Sequence, residues 1–310
     1  MNNIKTAFSI GDLENLSGIK AHTIRMWEKR YGLLTPGRGE ASLRRTYTLD
    51  ELRKLLNVTL LTGHGFKISR VAAMDVRQIE TLVGEVRTTS IDIAPVVHQY
   101  KLAMMTFDQA SFVEVTDQLI SKMPFREVFM RYFMPLLEEI GLMWQTATIE
   151  PAHEHFVSNL IRMVVLQQTA SSSRKIRKGQ QPSFVLFLPF GEIHELGLLY
   201  LQYEIAASGR NCIYLGSNMP LDSLTEVTRL FTGITYITYL TVAPEEKPLR
   251  EYVSALHGKI QRNGSELWVV GRKVTELDIP EIESLRLFDS LSHSLEALSL
   301  HFSHMAAPAN

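Results

Sequence analysis

The stretch Pro189-Phe190-Gly191-Glu192-Ile193-His194-Glu195-Leu196-Gly197 decides the reading of the C-terminal half of this chain. Before it, residues 183–188 form an apolar run of strand length; after it, residues 196–207 keep a helical apolar rhythm. A strand that hands over to a helix through such a loop belongs to an open α/β sheet, which binds ligands at that edge. Glu192 and His194 stand two apart on the loop. One ring nitrogen of a histidine so placed can take a metal while the carboxylate polarises the other. The same residues also suit an ordinary helix start, with Glu192 near the positive end of the helix dipole.

Beyond the loop, strands and helices alternate. Residues 183–188, 212–216, 234–242, 266–270 and 285–288 read as strands; residues 196–208, 222–231, 249–260, 280–284 and 293–300 read as helices. The pattern predicts a doubly wound, Rossmann-like parallel sheet of about five strands. A dinucleotide site would need G-x-G-x-x-G after the first strand, which is absent. A phosphoacceptor domain would need an acidic residue closing the third strand, which instead ends Thr241-Val242-Ala243-Pro244. E-x-H-x-x-G over Glu192, His194 and Gly197 resembles the D/E-x-H-x-x-G signature of cobalamin-binding domains. That resemblance implies His194 as the metal ligand below cobalt, Glu192 as the group orienting its ring, and adenosylcobalamin as cofactor.

With 310 residues the chain has room for two or three domains, each with its own core. Hydrophobic content of 45% and charge of 21% are those of a soluble globular protein. The N-terminus carries no signal-like run and no apolar stretch is long enough to span a bilayer, so a cytoplasmic protein is expected. The single cysteine, Cys212, excludes an internal disulfide framework and cysteine-cluster metal sites. The net charge of −1 hides an uneven distribution: residues 1–74 hold twelve basic side chains against six acidic ones. A basic module on a neutral protein is the electrostatic footprint of a DNA-binding domain.

That module has a legible pattern. Ser9 reads as the cap of a helix with Ile10, Leu13 and Leu16 on one face, Ser17-Gly18-Ile19 breaks it, and residues 20–31 form a second helix with Ile24, Trp27 and Tyr31 inward. Two short helices joined by a glycine turn predict a helix-turn-helix whose second member enters the major groove. Its outer face offers His22, Thr23, Arg25, Met26, Lys29 and Arg30, which can reach phosphates and base edges. Arg38, Arg44, Arg45 and Tyr47 then follow in a glycine-bearing stretch that suits a β-wing gripping the backbone. F-S-I-G-D-L, T-I-R-M-W-E-K-R-Y-G-L-L-T-P-x-R and R-R-T-Y-T-L-D-E-L together resemble the MerR family of winged helix-turn-helix regulators. The resemblance implies a double-stranded DNA operator and a homodimer or homotetramer. Cysteines that would sense a metal are absent before Cys212.

Residues 84–90 read as a linker, residues 91–170 as a four-helix bundle, and residues 171–181 as a second linker, giving domains at 1–83, 91–170 and 182–310. In the bundle, Trp144 is followed after nine residues by Glu154-His155. This order resembles the cap of light-responsive, cobalamin-dependent MerR-type repressors of carotenoid genes, the CarH/CarA type. The resemblance implies that the bundle covers the corrin, Trp144 shielding the adenosyl group with Glu154 and His155 beside it. His153-Glu154-His155 lacks the i, i+4 histidine pair of a helical zinc site.

Two departures stand out. Cobalamin domains of this type carry S-x-L on the third strand and Gly-Gly after the fourth, lining the groove for the nucleotide tail. Here Thr238-Tyr239-Leu240 and Val270-Gly271-Arg272 are aligned with them, so Thr238, Leu240 and Gly271 are the expected groove residues and the pocket is crowded. The relatives also place a cobalt-capturing histidine after the tryptophan, where this chain has Gln145. The expected function is therefore a DNA-binding transcriptional regulator, a repressor rather than an enzyme, with a cobalamin sensor controlling oligomerisation. Two other readings stay open: a ligand-free interaction module answering to a protein antagonist, and a corrinoid carrier, against which the DNA-binding head argues.

Overall fold

Two reciprocal caps organise the N-terminal head. In the computed structural model, which describes residues 7–38, 45–87, 92–243, 249–261, 264–280 and 282–306, Asp12 N–H donates to Ser9 Oγ at 3.1 Å and Ser9 N–H to Asp12 Oδ2 at 2.7 Å. This capping box starts α1 (Ile10–Ser17), which ends at Gly18 in the left-handed region, φ 73°. α2 (Ala21–Tyr31) follows, and Leu13, Leu16, Ile24 and Trp27 bury the seam between the two. Strands β1 (Ala7–Phe8), β2 (Gly37–Arg38) and β3 (Arg45–Thr48) make the wing, an antiparallel sheet of order β1-β3-β2. A second box, Thr48 with Glu51, starts α3 (Leu49–Gly63), and α4 (Ile68–Val71) and α5 (Val76–Arg87) complete the head. Gly84, expected to open a linker, lies within α5, which runs on through Arg87 with Val83 and Val86 buried; the rest of that expected linker, up to residue 90, lies outside the described residues.

The bundle is built from α6 (Ile93–Thr106), α7 (Gln109–Lys122), a run of α8 (Phe125–Val128), one π turn (Phe129–Phe133) and α9 (Met134–Gln145), and α10 (Pro151–Ser173). Its core is aromatic: Tyr100, Phe112, Phe125, Phe129 and Phe133 are buried with ring centroids 4.8–6.3 Å apart. Lys101, almost fully buried, is neutralised by Glu139 at 2.6 Å. α10 extends to Ser173, so the second linker is shorter than expected. By internal contacts the chain divides into two units, Met1–Ile161 and Arg162–Asn310.

The second unit is a five-stranded parallel sheet of β4 (Phe184–Pro189), β5 (Cys212–Met219), β6 (Thr235–Tyr239), β7 (Glu266–Val270) and β8 (Leu285–Phe288), in the order β5-β4-β6-β7-β8. Helices α11 (Leu196–Ala207), α12 (Leu224–Leu230), α13 (Leu249–Ile260) and α14 (Leu291–Ala306) connect and close it. The chain leaves β4 to one side for β5 and returns to the other for β6. The C-terminal ends of β4 and β6 therefore flank the topological switch point, where such sheets hold ligands. One face, with Val185, Phe187, Tyr236, Leu240 and Val269, packs in a core with Leu224, Val253 and Leu256. The opposite face carries Phe184 and Trp268, whose rings meet His301 and Phe302 of α14. The short helix expected at 280–284 is not formed: Ile282 bridges to Leu285, and the local helical turn lies earlier, at Arg272–Glu276.

Candidate functional site

On the head, α2 turns Ile24 and Trp27 inward and leaves His22, Arg25, Met26, Lys29 and Arg30 exposed, with Thr23 partly so. The Arg30 guanidinium lies 5.4 Å from the Tyr31 ring centre. The helix thus presents a cationic outer face with one apolar side chain, a combination that suits phosphates and base edges. Wing and helix are joined by a residue the motif reading passed over. Glu28, nearly buried, accepts from Arg45 Nη1 at 2.9 Å and from Tyr47 O–H at 2.6 Å. Tyr47 is 1% exposed, which corrects its expected place among the DNA contacts: it is a core residue whose hydroxyl is spent on Glu28. Arg45 remains more than half exposed while paired. Arg38 lies in β2, and Arg44 falls outside the described residues.

In the bundle, Trp144 lies at the end of α9 with 58% of its surface exposed. Glu154, in the first turn of α10, accepts from Ser158 Oγ at 2.7 Å and lies 2.9 Å from His155 Nδ1. His155 is exposed, whereas His153 is buried and stacked on Phe107 at 4.8 Å.

The loop after β4 is the most heavily built part of the second unit. Glu192 is fully buried and its carboxylate takes six donors. Oε1 receives the N–H groups of Ile193 and His194, each at 3.0 Å, and lies 2.6 Å from His194 Nδ1. Oε2 receives the N–H groups of Thr241, Val242 and Ala243 at 2.8–3.1 Å. Burial alone would raise its pKa; the bonds from His194 and from the backbone of Val242, His194 and Thr241 outweigh it and hold the carboxyl at about 2. An ionised Glu192 makes Nδ1 the donor, so the His194 ring carries its lone pair on Nε2, on a side chain half exposed at the switch point. This is the arrangement by which a carboxylate raises the basicity of a metal-binding imidazole. Gly191, with φ 84°, makes the turn and donates to Asn218 Oδ1 at 3.0 Å. Beside the loop, Glu195 accepts from Arg162 and, at 3.0 Å, from Tyr214.

Fit for the nucleotide tail is a different matter. The expectation put Thr238 and Leu240 in its groove. Alternation along β6 turns both to the α12–α13 face, where Leu240 belongs to the core and Thr238 Oγ1 is buried without a hydrogen-bond partner. Tyr239 is the β6 residue that reaches Gly197. A Cβ on Gly197 would fall 2.6 Å from Tyr239 Cε2, and one on Gly271, with φ 116°, would fall 2.3 Å from Leu240 O. The residues present therefore fit a metal held at His194 and do not fit an inserted tail.

Residues 8–75 match the MerR HTH family of regulatory proteins, and residues 96–167 match the B12 binding domain. The chain is 29% identical over 276 residues to the HTH-type transcriptional repressor CarH of Myxococcus xanthus, covering 85% of this chain and 88% of that protein. It is 26% identical over 216 residues to the HTH-type transcriptional repressor CarA of the same organism, covering 69% and 70%. Among solved structures, the monomethylamine corrinoid protein of Methanosarcina barkeri aligns with a TM-score of 0.50 at 15% identity, over 64% of this chain and 94% of that one, a likeness of fold. Among the described residues, no helix is long and apolar enough to cross a membrane.

Proposed function

We propose that this chain, a MerR-type helix-turn-helix protein carrying a B12-binding domain, is a transcriptional regulator of the CarH type whose hold on DNA answers to a corrinoid. The observation that carries the reading is the six-donor seat of Glu192 and the imidazole it aims. In that reading His194 ligates cobalt through Nε2 and Glu192 fixes the ring. Trp144, Glu154 and His155 keep the upper-ligand roles that the order of motifs implies, and Gly197 serves the close packing at the start of α11. Adenosylcobalamin, when bound, would supply a cobalt–carbon bond that light can cleave. The protein acts in the cytoplasm as a repressor, as a homodimer or homotetramer on a pseudo-palindromic operator, because one helix-turn-helix reads only a half-site.

Full-length protein is mixed in the dark with adenosylcobalamin and separated by size exclusion with absorbance detection, then assayed on its own promoter DNA with and without the cofactor. Co-elution of corrinoid with protein, with a change in DNA affinity, supports the reading. Colourless protein that binds DNA equally in both cases contradicts it and favours the ligand-free interaction module, for which the occupied groove speaks.

A further inference from the structure

The two glycines that a tail-binding groove would keep free for its ligand are already used by this protein's own atoms. Gly271 is required by the backbone, since its left-handed φ and the 2.3 Å approach to Leu240 O exclude any side chain whether or not a ligand is present. Gly197 leaves a bare patch on the first turn of α11, and the Tyr239 ring lies directly on it. The patch that would accept a flat heteroaromatic base therefore holds a flat aromatic ring supplied by β6.

The neighbouring positions close the same layer. Tyr239 and Val270 are paired in register on β6 and β7, so their side chains stand side by side on the α11–α14 face. Two residues deeper on β7, Trp268 is fully buried, with its ring 5.0 Å from Phe288 and 5.6 Å from His301. On the same face of the sheet, at the start of β4, Phe184 packs on Phe302 at 6.0 Å. Tyr239, Val270 and Trp268 thus put side chains where an inserted nucleotide would need a channel. Forcing extra volume into a packed layer is destabilising.

We propose that Tyr239 excludes the nucleotide tail, so that this domain holds a corrinoid through His194 and the corrin ring alone, with the lower base left outside. The inference rests on the corrinoid reading of the same site. It has a chemical consequence. A lower base left outside competes with His194 for the lower face of cobalt in cobalamin, whereas cobinamide, which lacks the base, offers no competitor. Tyr239 is thus a specificity-determining residue that favours the tail-less corrinoid.

Full-length wild type, Tyr239→Ser and Tyr239→Phe are titrated with aquocobalamin and with aquocobinamide, following the absorbance of histidine-ligated cobalt. Wild type and Tyr239→Phe are expected to bind cobinamide at least as tightly as cobalamin. Tyr239→Ser should strengthen cobalamin binding by about tenfold and leave cobinamide unchanged. Circular dichroism checks that the serine variant is folded; if it is not, the wild-type preference alone decides. A wild type that prefers cobalamin by about tenfold or more overturns the inference while leaving the corrinoid reading intact. Uptake of neither corrinoid by wild type overturns both.

Discussion

Asn15 Nδ2, on the first helix of the DNA-binding head, donates to Thr148 Oγ1 at 2.9 Å across 133 positions of sequence. Thr148 is fully buried and lies 2.9 Å from Thr146 Oγ1, and Thr146 follows Trp144 and Gln145 directly. The loop that follows the exposed Trp144 is therefore tied to the first helix of the helix-turn-helix by a side-chain bond.

Asn15→Ala and Thr148→Val should each lower stability by about 1 kcal/mol, and the double variant should cost about 0.5–1 kcal/mol less than the sum. Chemical denaturation of the four proteins checks this; strict additivity would mean that the bond carries no coupling.

On the DNA face, Arg25→Ala should weaken operator binding and reduce the slope of log affinity against log salt by about 1, the signature of one lost phosphate contact. Glu28→Ala should weaken binding through a different cause. It releases both Arg45 and the buried Tyr47 hydroxyl, so it should also lower the melting temperature, which Arg25→Ala should not. Salt-dependent fluorescence anisotropy and thermal melting separate the two.

Much of the head was legible because its signals are local. Ser9 was readable as a cap from its immediate neighbours, and the Ile24–Trp27 stripe needs only helical periodicity; the equally local Thr48–Glu51 box was passed over. Tyr47 was misjudged because its neighbours Arg44 and Arg45 are cationic, while its own fate is set by Glu28, 19 positions away. The loop of Glu192 was legible as a motif, but the three backbone donors from Thr241 to Ala243 come from the end of another strand. Thr238 and Tyr239 show how sharp the limit is. A one-residue difference in strand phase exchanges the two faces of a sheet, and only the packing of β6 on α11 settles it.

Acid should destabilise the bundle through His98. Burial, with Lys101 nearby as the lesser cause, lowers its pKa to about 4, against about 6.5 for the unfolded chain. Between those values the unfolded chain binds the proton more readily. The stability from keeping His98 neutral is full above about pH 6.5 and is lost as the pH falls toward about 4, by at most about 3 kcal/mol. Melting curves from pH 7 to 4 should therefore fall more steeply for wild type than for His98→Gln. Parallel curves would remove His98 from the acid response.

Light should release a bound corrinoid rather than trap it. The exposed Gln145 offers an amide oxygen, a poorer cobalt donor than imidazole, and His153 is buried against Phe107. Gln145→His should keep corrinoid on the protein after illumination, as read by absorbance after gel filtration. Equal retention by wild type would point to the exposed His155 as the substitute ligand.

The central claim is that Glu192 holds His194 ready to ligate cobalt. Its most direct measurement is the absorbance spectrum of full-length wild type and His194→Ala after mixing with aquocobinamide, where no lower base confuses the assignment. The account predicts a histidine-ligated cobalt spectrum that elutes with the wild type and is absent from the folded variant. The same spectrum in both proteins, or no corrinoid on the wild type, would contradict it.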